Sequence, residues 1–125
     1  MYTARTNLIP YTMTFEDIRC PWGDTLKTCA ITVADREGVV LYQNDRSIAV
    51  NGDVRGRSML PCHSERSRAI IDRLITNGEN NAYTISKRGL RKLIYQTPWY
   101  EEGVVAGLVE FSLEIPEEMP HYVRE

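Results

Sequence analysis

No stretch of this sequence is apolar for long enough to cross a bilayer, and no signal peptide is read at its start, where Met1 opens a polar segment. Charge of neither sign dominates: 15 Lys and Arg face 17 Asp and Glu, a formal net charge of -2. Without a basic stripe nothing supports a nucleic-acid partner, and without an acidic tail nothing suggests a cation sink. The one local excess of positive charge, Arg55, Arg57, Arg66, Arg68 and Arg73, is interrupted by Glu65 and Asp72. It reads as solvated surface rather than a phosphate site. Cysteine is scarce and odd in number. Cys20, Cys29 and Cys62 have no C-x-x-C spacing, which points to a cytosolic, reduced protein whose thiols are mostly small buried hydrophobes.

Catalytic signatures are missing as well. There is no G-x-S-x-G, no H-E-x-x-H, no phosphate loop and no flavin-attachment cysteine motif. Glu101, Glu102, Glu117 and Glu118 stand in turn or tail contexts, where a solvated role outweighs acid–base work. Zinc needs four ligands; Cys62 and His63 supply two, and Cys20, Cys29 and His121 lack ligand spacing. The expectation is a protein with no catalytic set and no metal site, not an enzyme.

At 125 residues the chain is most simply one domain. The expected division is a partly helical arm over 1–28, a domain over 29–116 and a tail over 117–125. The organising stretch is Leu90 to Ile115, read as two long antiparallel strands joined at Glu101-Glu102-Gly103. Gly103 can take the positive φ such a turn requires. In the second strand Val105, Val109, Phe111, Leu113 and Ile115 share one face, and Ala106, Glu110, Ser112 and Glu114 share the other. That period of two predicts an apolar face on the core and a partly wet face opposite.

Upstream, Thr14 can cap a short helix over Phe15 to Arg19, ended by Pro21. Cys29–Asp35 and Val39–Asn44 predict a hairpin around Asp35-Arg36-Glu37-Gly38. Asp45 can cap a helical turn, broken at Asn51-Gly52. Ser64 opens the one clear helix, with Ile70, Ile71, Leu74 and Ile75 as its apolar stripe and Asn77-Gly78 as its stop. A strand over Ala82–Lys87 and the turn Lys87-Arg88-Gly89 lead into the long hairpin. The class is α+β, an antiparallel sheet with helices on one face.

This order resembles a PAS domain, the small sensory module of bacterial signalling proteins. The resemblance runs from about Ala30 to Ile115 and rests on Ile-Thr-Val-Ala-Asp-Arg-Glu-Gly-Val-Val-Leu-Tyr-Gln-Asn, Gly-Arg-Ser-Met-Leu-Pro-Cys-His, the helix from Ser64 and Gly-Leu-Val-Glu-Phe-Ser-Leu-Glu-Ile. More narrowly, Gly56 to His63 and Leu93 to Trp99 are similar to PAS-like domains that accompany hemerythrin-like domains in proteins of unknown function. The resemblance implies a five-stranded sheet in the order 2-1-5-4-3, with short helices enclosing a pocket. It also implies a sensory or interaction module that binds a small ligand, a signalling partner, or both.

The pocket residues it implies are His63, Cys62, Met59, Ile71, Tyr83, Tyr95 and Phe111. The cofactor stays unnamed. His63 as a haem ligand is one reading, a polar ligand contact a second, and a backbone-bonded helix-terminal imidazole a third. Cys62 is either a redox thiol at a helix N-terminus or a small buried side chain. The alternative to the binding module is therefore a small haem or thiol redox sensor using His63 or Cys62. Asn44, in Tyr42-x-Asn44, is expected to satisfy backbone groups where strand gives way to helix. Both parities of the central hairpin carry apolar groups, so a homodimer through the sheet's outer face and the arm's Tyr11, Phe15, Ile18 and Trp22 is expected.

Overall fold

The computed structural model describes residues 23–60 and 64–125. A 3-10 turn at Gly23–Thr25 precedes β1 (Cys29–Asp35), β2 (Val40–Gln43), α1 (Asp45–Asn51), α2 (Glu65–Asn77), β3 (Asn81–Lys87), β4 (Leu90–Glu101) and β5 (Val104–Ile115). The five strands form one antiparallel sheet in the order β2-β1-β5-β4-β3. The expected helix over Phe15 to Arg19 and the arm's aromatic residues lie outside the described residues.

Two tight turns set the register of the β3–β4–β5 meander. Arg88-Gly89 and Glu102-Gly103 each place both central residues at positive φ (55° and 79°; 52° and 81°). That is the backbone of a two-residue hairpin turn whose twist matches its strands. Glycine at the second position removes the Cβ clash there. The Asp35–Gly38 turn is closed differently. Asp35 Oδ1 accepts from the amides of Glu37 and Val39, both at 2.9 Å, and Gly38 N donates to Asp35 O at 3.0 Å.

The helices start and stop where local chemistry allows. Ser64 Oγ accepts from Ser67 N at 3.1 Å, and Gly78 at φ 70° ends α2. Helix α1 is capped by Asn44, one residue before the expected Asp45. Asn44 is held to β1 as well, and that second anchor decides the capping position. Ile71, Leu74 and Ile75 of α2 are buried against Ala34, Val40, Met59 and Leu108, with Ile70 partly buried beside them. Burying side chains of this size stabilises a fold by roughly 1.5–3 kcal/mol each.

The expected core face is the wrong one. Helices α1 and α2 lie over the face that carries Thr32, Lys92, Gln96, Glu110 and Ser112. Val109, Phe111, Leu113 and Ile115 point to the opposite, outer face with Ile31, Leu93 and Tyr95. Tyr95 and Leu113 are each 37% exposed there. Val105 leaves that set altogether. Trp99 pairs with Gly107 but Tyr100 pairs with Val105, so Ala106 is an extra residue in β5. Such a bulge reverses the phase of every residue beyond it. Val105 therefore packs with the helix-side core.

Candidate functional site

The helix-side face of the sheet is divided along its length. One half, around Ala34 and Leu108, is sealed by α2. The other half stays open beneath α1 and the segment that follows it, and a cavity of 440 Å³ lies there. Its floor is Ala30 and Thr32 of β1, Glu110 and Ser112 of β5, Lys92 and Ile94 of β4, and Tyr83, Ile85 and Lys87 of β3. Its roof is Val50 and Asn51 of α1 with Val54, Ser58 and Met59 beyond. This size falls within the range of small-molecule sites.

A polar network holds the roof. Gln43, 4% exposed, donates from Nε2 to Gly52 O and to Ser47 Oγ, both at 3.0 Å, and its Oε1 accepts from Val54 N at 2.8 Å. Ser47 is fully buried and shares a 2.7 Å hydrogen bond with Thr32 Oγ1. One glutamine thus ties the end of α1 to the extended chain that follows, and one serine ties α1 to the sheet. Asn44 completes the frame. Its Oδ1 accepts from Ile31 N and Ser47 N, each at 2.9 Å, and its Nδ2 donates to Cys29 O at 2.8 Å. The expectation that Asn44 satisfies backbone groups at this junction matches these bonds.

The electrostatics of the floor are mixed. Lys87 and Lys92 carry positive charge into the cavity wall and Glu110 carries negative charge. Glu110 Oε2 accepts from Gln96 Nε2 at 2.8 Å, and Gln96 Oε1 accepts from Asn81 Nδ2 at 3.1 Å. Beside the cavity, Arg46 of α1 forms an ion pair with Glu114 of β5. The Tyr83 phenol is held above its ordinary value of 10.0, first by partial burial and then by the Glu110 charge. The fold favours the neutral phenol, so its contribution to stability is complete below pH 10 and is lost as pH rises further. Glu110→Gln is expected to bring the Tyr83 pKa down while leaving it above 10.0, because burial is the larger cause. Ultraviolet titration of each protein against its Tyr83→Phe counterpart measures this; no change with Glu110→Gln would contradict the assigned coupling.

Of the expected pocket residues, Met59 and Tyr83 line this cavity. Ile71 is buried in the α2 core beside it. Tyr95 and Phe111 stand on the outer face with their rings 6.4 Å apart, because their register places them opposite the cavity. Cys62 and His63 lie outside the described residues. Sequence reading missed Lys92, Glu110, Thr32, Gln43 and Ser47. The signal was present in Lys92-x-Ile94-x-Gln96 and Glu110-x-Ser112, polar groups repeating every second residue on the two longest strands.

Other groups have ordinary explanations. Burial pushes the Cys29 thiol up, away from nucleophilic use. Arg55 pairs with Asp53 at 2.7 Å and holds its carboxyl down to about 2, and Arg73 meets Glu79 at 3.2 Å. Both pairs are exposed, and the arginine cluster is a solvated surface there. Among the described residues no three His, Cys, Asp or Glu are grouped so as to hold a metal ion, and no helix is long and apolar enough to cross a membrane.

The sequence matches no family model, and no curated protein matches it. Solved structures do. A sensory box sensor histidine kinase from Vibrio cholerae shares 12% identity at a TM-score of 0.62, over 75% of this chain and 86% of that one. The PAS domain of histidine kinase ThkA shares 17% at 0.56, over 68% and 97%. The Aer2 receptor from Vibrio cholerae, described as a dual PAS-heme oxygen sensor, shares 16% at 0.56, over 71% and 96%. Identities this low speak to architecture alone, and with the 2-1-5-4-3 sheet and its two helices the chain has a PAS-like fold.

Proposed function

We propose that this chain is a sensory module that holds a small polar molecule between α1 and the sheet and reports its presence to another protein chain. The observation that carries this reading is the 440 Å³ cavity, roofed by the Gln43–Ser47 network and floored by charged and hydroxyl groups. A polar face enclosed beneath a helix is costly unless its groups are satisfied by the protein or by something bound. The sensor proteins of similar fold support the reading, although a fold does not by itself supply a function. Binding without turnover fits the floor, where Glu110 is engaged by Gln96 and no nucleophile–base pair lines the wall among the described residues.

Native mass spectrometry of the protein purified from its own host is expected to show a small molecule that dissociates on denaturation. Protein that is ligand-free from its host and unresponsive to host metabolite extract would remove the sensing role.

The outer face supports the second half of the proposal. Ile31, Leu93, Tyr95, Val109 and Phe111 form an apolar surface on a sheet whose other side is already covered. We propose a second copy of the chain as its partner, by the commonest closed symmetry. Light scattering is expected to give a dimer at micromolar concentration and a monomer for Tyr95→Lys. A wild-type monomer would refute the dimer.

A further inference from the structure

We infer that the cavity takes a small organic monoanion, a carboxylate, and that the Lys92 ammonium is its anchor. The inference rests on the binding role proposed for the cavity and adds the chemical class of ligand. Lys92 is 8% exposed, the third residue of β4, on the helix-side face of the sheet between Ile85 of β3 and Glu114 of β5. Lysine is almost never so buried unless paired. Yet its ammonium has no hydrogen-bond or ion-pair partner among the described residues: Glu114, opposite it in the β4–β5 register, is engaged with Arg46, and Glu110 lies at the Gln96 position, four residues farther along β4. No side-chain nitrogen or oxygen among the described residues is both sealed from solvent and unpartnered, so this ammonium opens onto the cavity that it lines. A cation at the tip of a largely buried side chain, facing an open space, is a preformed half of an ion pair.

The neighbours narrow the class. Lys87 adds a second positive charge to the wall, and among the described residues Glu110 is the one carboxylate lining it, so the cavity favours a net negative guest. Glu110 also disfavours a doubly charged phosphate, which it would repel. A carboxylate meets Lys92 with one charge. The walls from Ile85, Ile94, Val40, Val50 and Met59 receive an apolar or aromatic body, and the Ser112 hydroxyl, on the residue opposite Ile94, can donate or accept beside it.

The test uses full-length, isotope-labelled protein and matched pairs of probes: butyrate against butyramide, and benzoate against benzamide. Binding is read from the backbone amide shifts of Thr32, Ile94 and Ser112. Carboxylates are expected to bind more tightly than their amides, and Lys92→Gln is expected to weaken them about 30-fold while leaving the amides unchanged. Lys92→Arg keeps the charge and should keep the preference for carboxylates. Amides that bind as well as carboxylates, inorganic phosphate that binds more tightly than either, or a preference that survives Lys92→Gln would overturn the Lys92 assignment and leave the cavity as a binding site. No shift at these residues with any probe would overturn both. Because Lys92 has no partner to lose among the described residues, Lys92→Gln is expected to melt at or above the wild-type temperature. A large fall in Tm would mean a structural role and also count against the proposal.

Discussion

Replacing Gly107 by alanine is expected to remove about 3 kcal/mol or more of folding stability. A Cβ at Gly107 would stand 2.7 Å from Trp99 Nε1 and 2.8 Å from Asp35 Cα, and closer still to the carbonyl oxygen of Ala34. The last two are backbone atoms of β1, the strand that pairs with β5 here, so they can yield only if the ladder parts. The small entropic gain of Gly→Ala, about 0.4–1 kcal/mol, does not offset this. The same approach lets the Trp99 indole reach across Gly107 and donate to Ala34 O at 2.9 Å. Glycine inside a strand marks such close passages of backbone. Gly89→Ala is the informative control. It sits at φ 79° with open space around it, so only the left-handed backbone penalty applies, about 1–2 kcal/mol. Urea unfolding of both variants decides the matter, and equal losses would show that sterics at Gly107 are not the cause. Trp99→Phe should fail to rescue Gly107→Ala, since the tightest contact is with Ala34 rather than with the indole.

The strands, the α2 helix and the turns were legible because each has a local cause. Gly89 and Gly103 mark turns, Ser64 and Gly78 bracket a helix, and Ile71, Leu74 and Ile75 recur at helical spacing. Sheet polarity was not legible in the same way. Counting apolar residues on β5 selects Val109, Phe111, Leu113 and Ile115, but the helices cover Leu108, Glu110 and Ser112 instead. The rule that the apolar face turns inward assumes a filled interior. Here part of the interior is a cavity whose walls mix polar and apolar groups, and the apolar outer face remains for something other than α1 and α2. The bulge at Ala106 hid a second fact, that Val105 belongs with the helices, because a period-two count cannot register an extra residue. The cap at Asn44 rather than Asp45 was hidden because its choice depends on β1, thirteen residues away from Asn44 at Ile31.

That long-range bond makes Asn44 the second position of large effect. Asn44→Ala is expected to lose about 3 kcal/mol, roughly 1 from the missing helix cap and the rest from backbone groups of β1 left without partners. Strand β2 ends at Gln43, and after one more backbone bond, Asn44 N donating to Ile31 O at 3.1 Å, the chain turns into α1 and leaves Ile31 N and Cys29 O to be met by a side chain. The Asn44 side chain supplies what the strand no longer can, an acceptor for Ile31 N and a donor for Cys29 O. Its Oδ1 serves Ser47 N at the same time, so one amide fixes both the edge of the sheet and the first turn of α1. Asn44→Ser separates the two duties. A serine can cap α1 but is too short to replace the bonds to β1, so it should recover only about 1 kcal/mol of the loss. Full recovery with serine would mean that capping is the whole contribution. The consequence reaches the cavity, because α1 carries Val50 and Asn51 into its roof and Ser47 to Thr32 on its floor. In Asn44→Ala at a temperature where the protein remains folded, hydrogen exchange is expected to quicken at the amides of Ser47 and Ile48 first, while Leu74 of α2, sealed in the other half of the molecule, stays protected. Uniform loss of protection would instead mean that the two halves open as one unit, and that α1 cannot move independently of the core in response to a bound molecule.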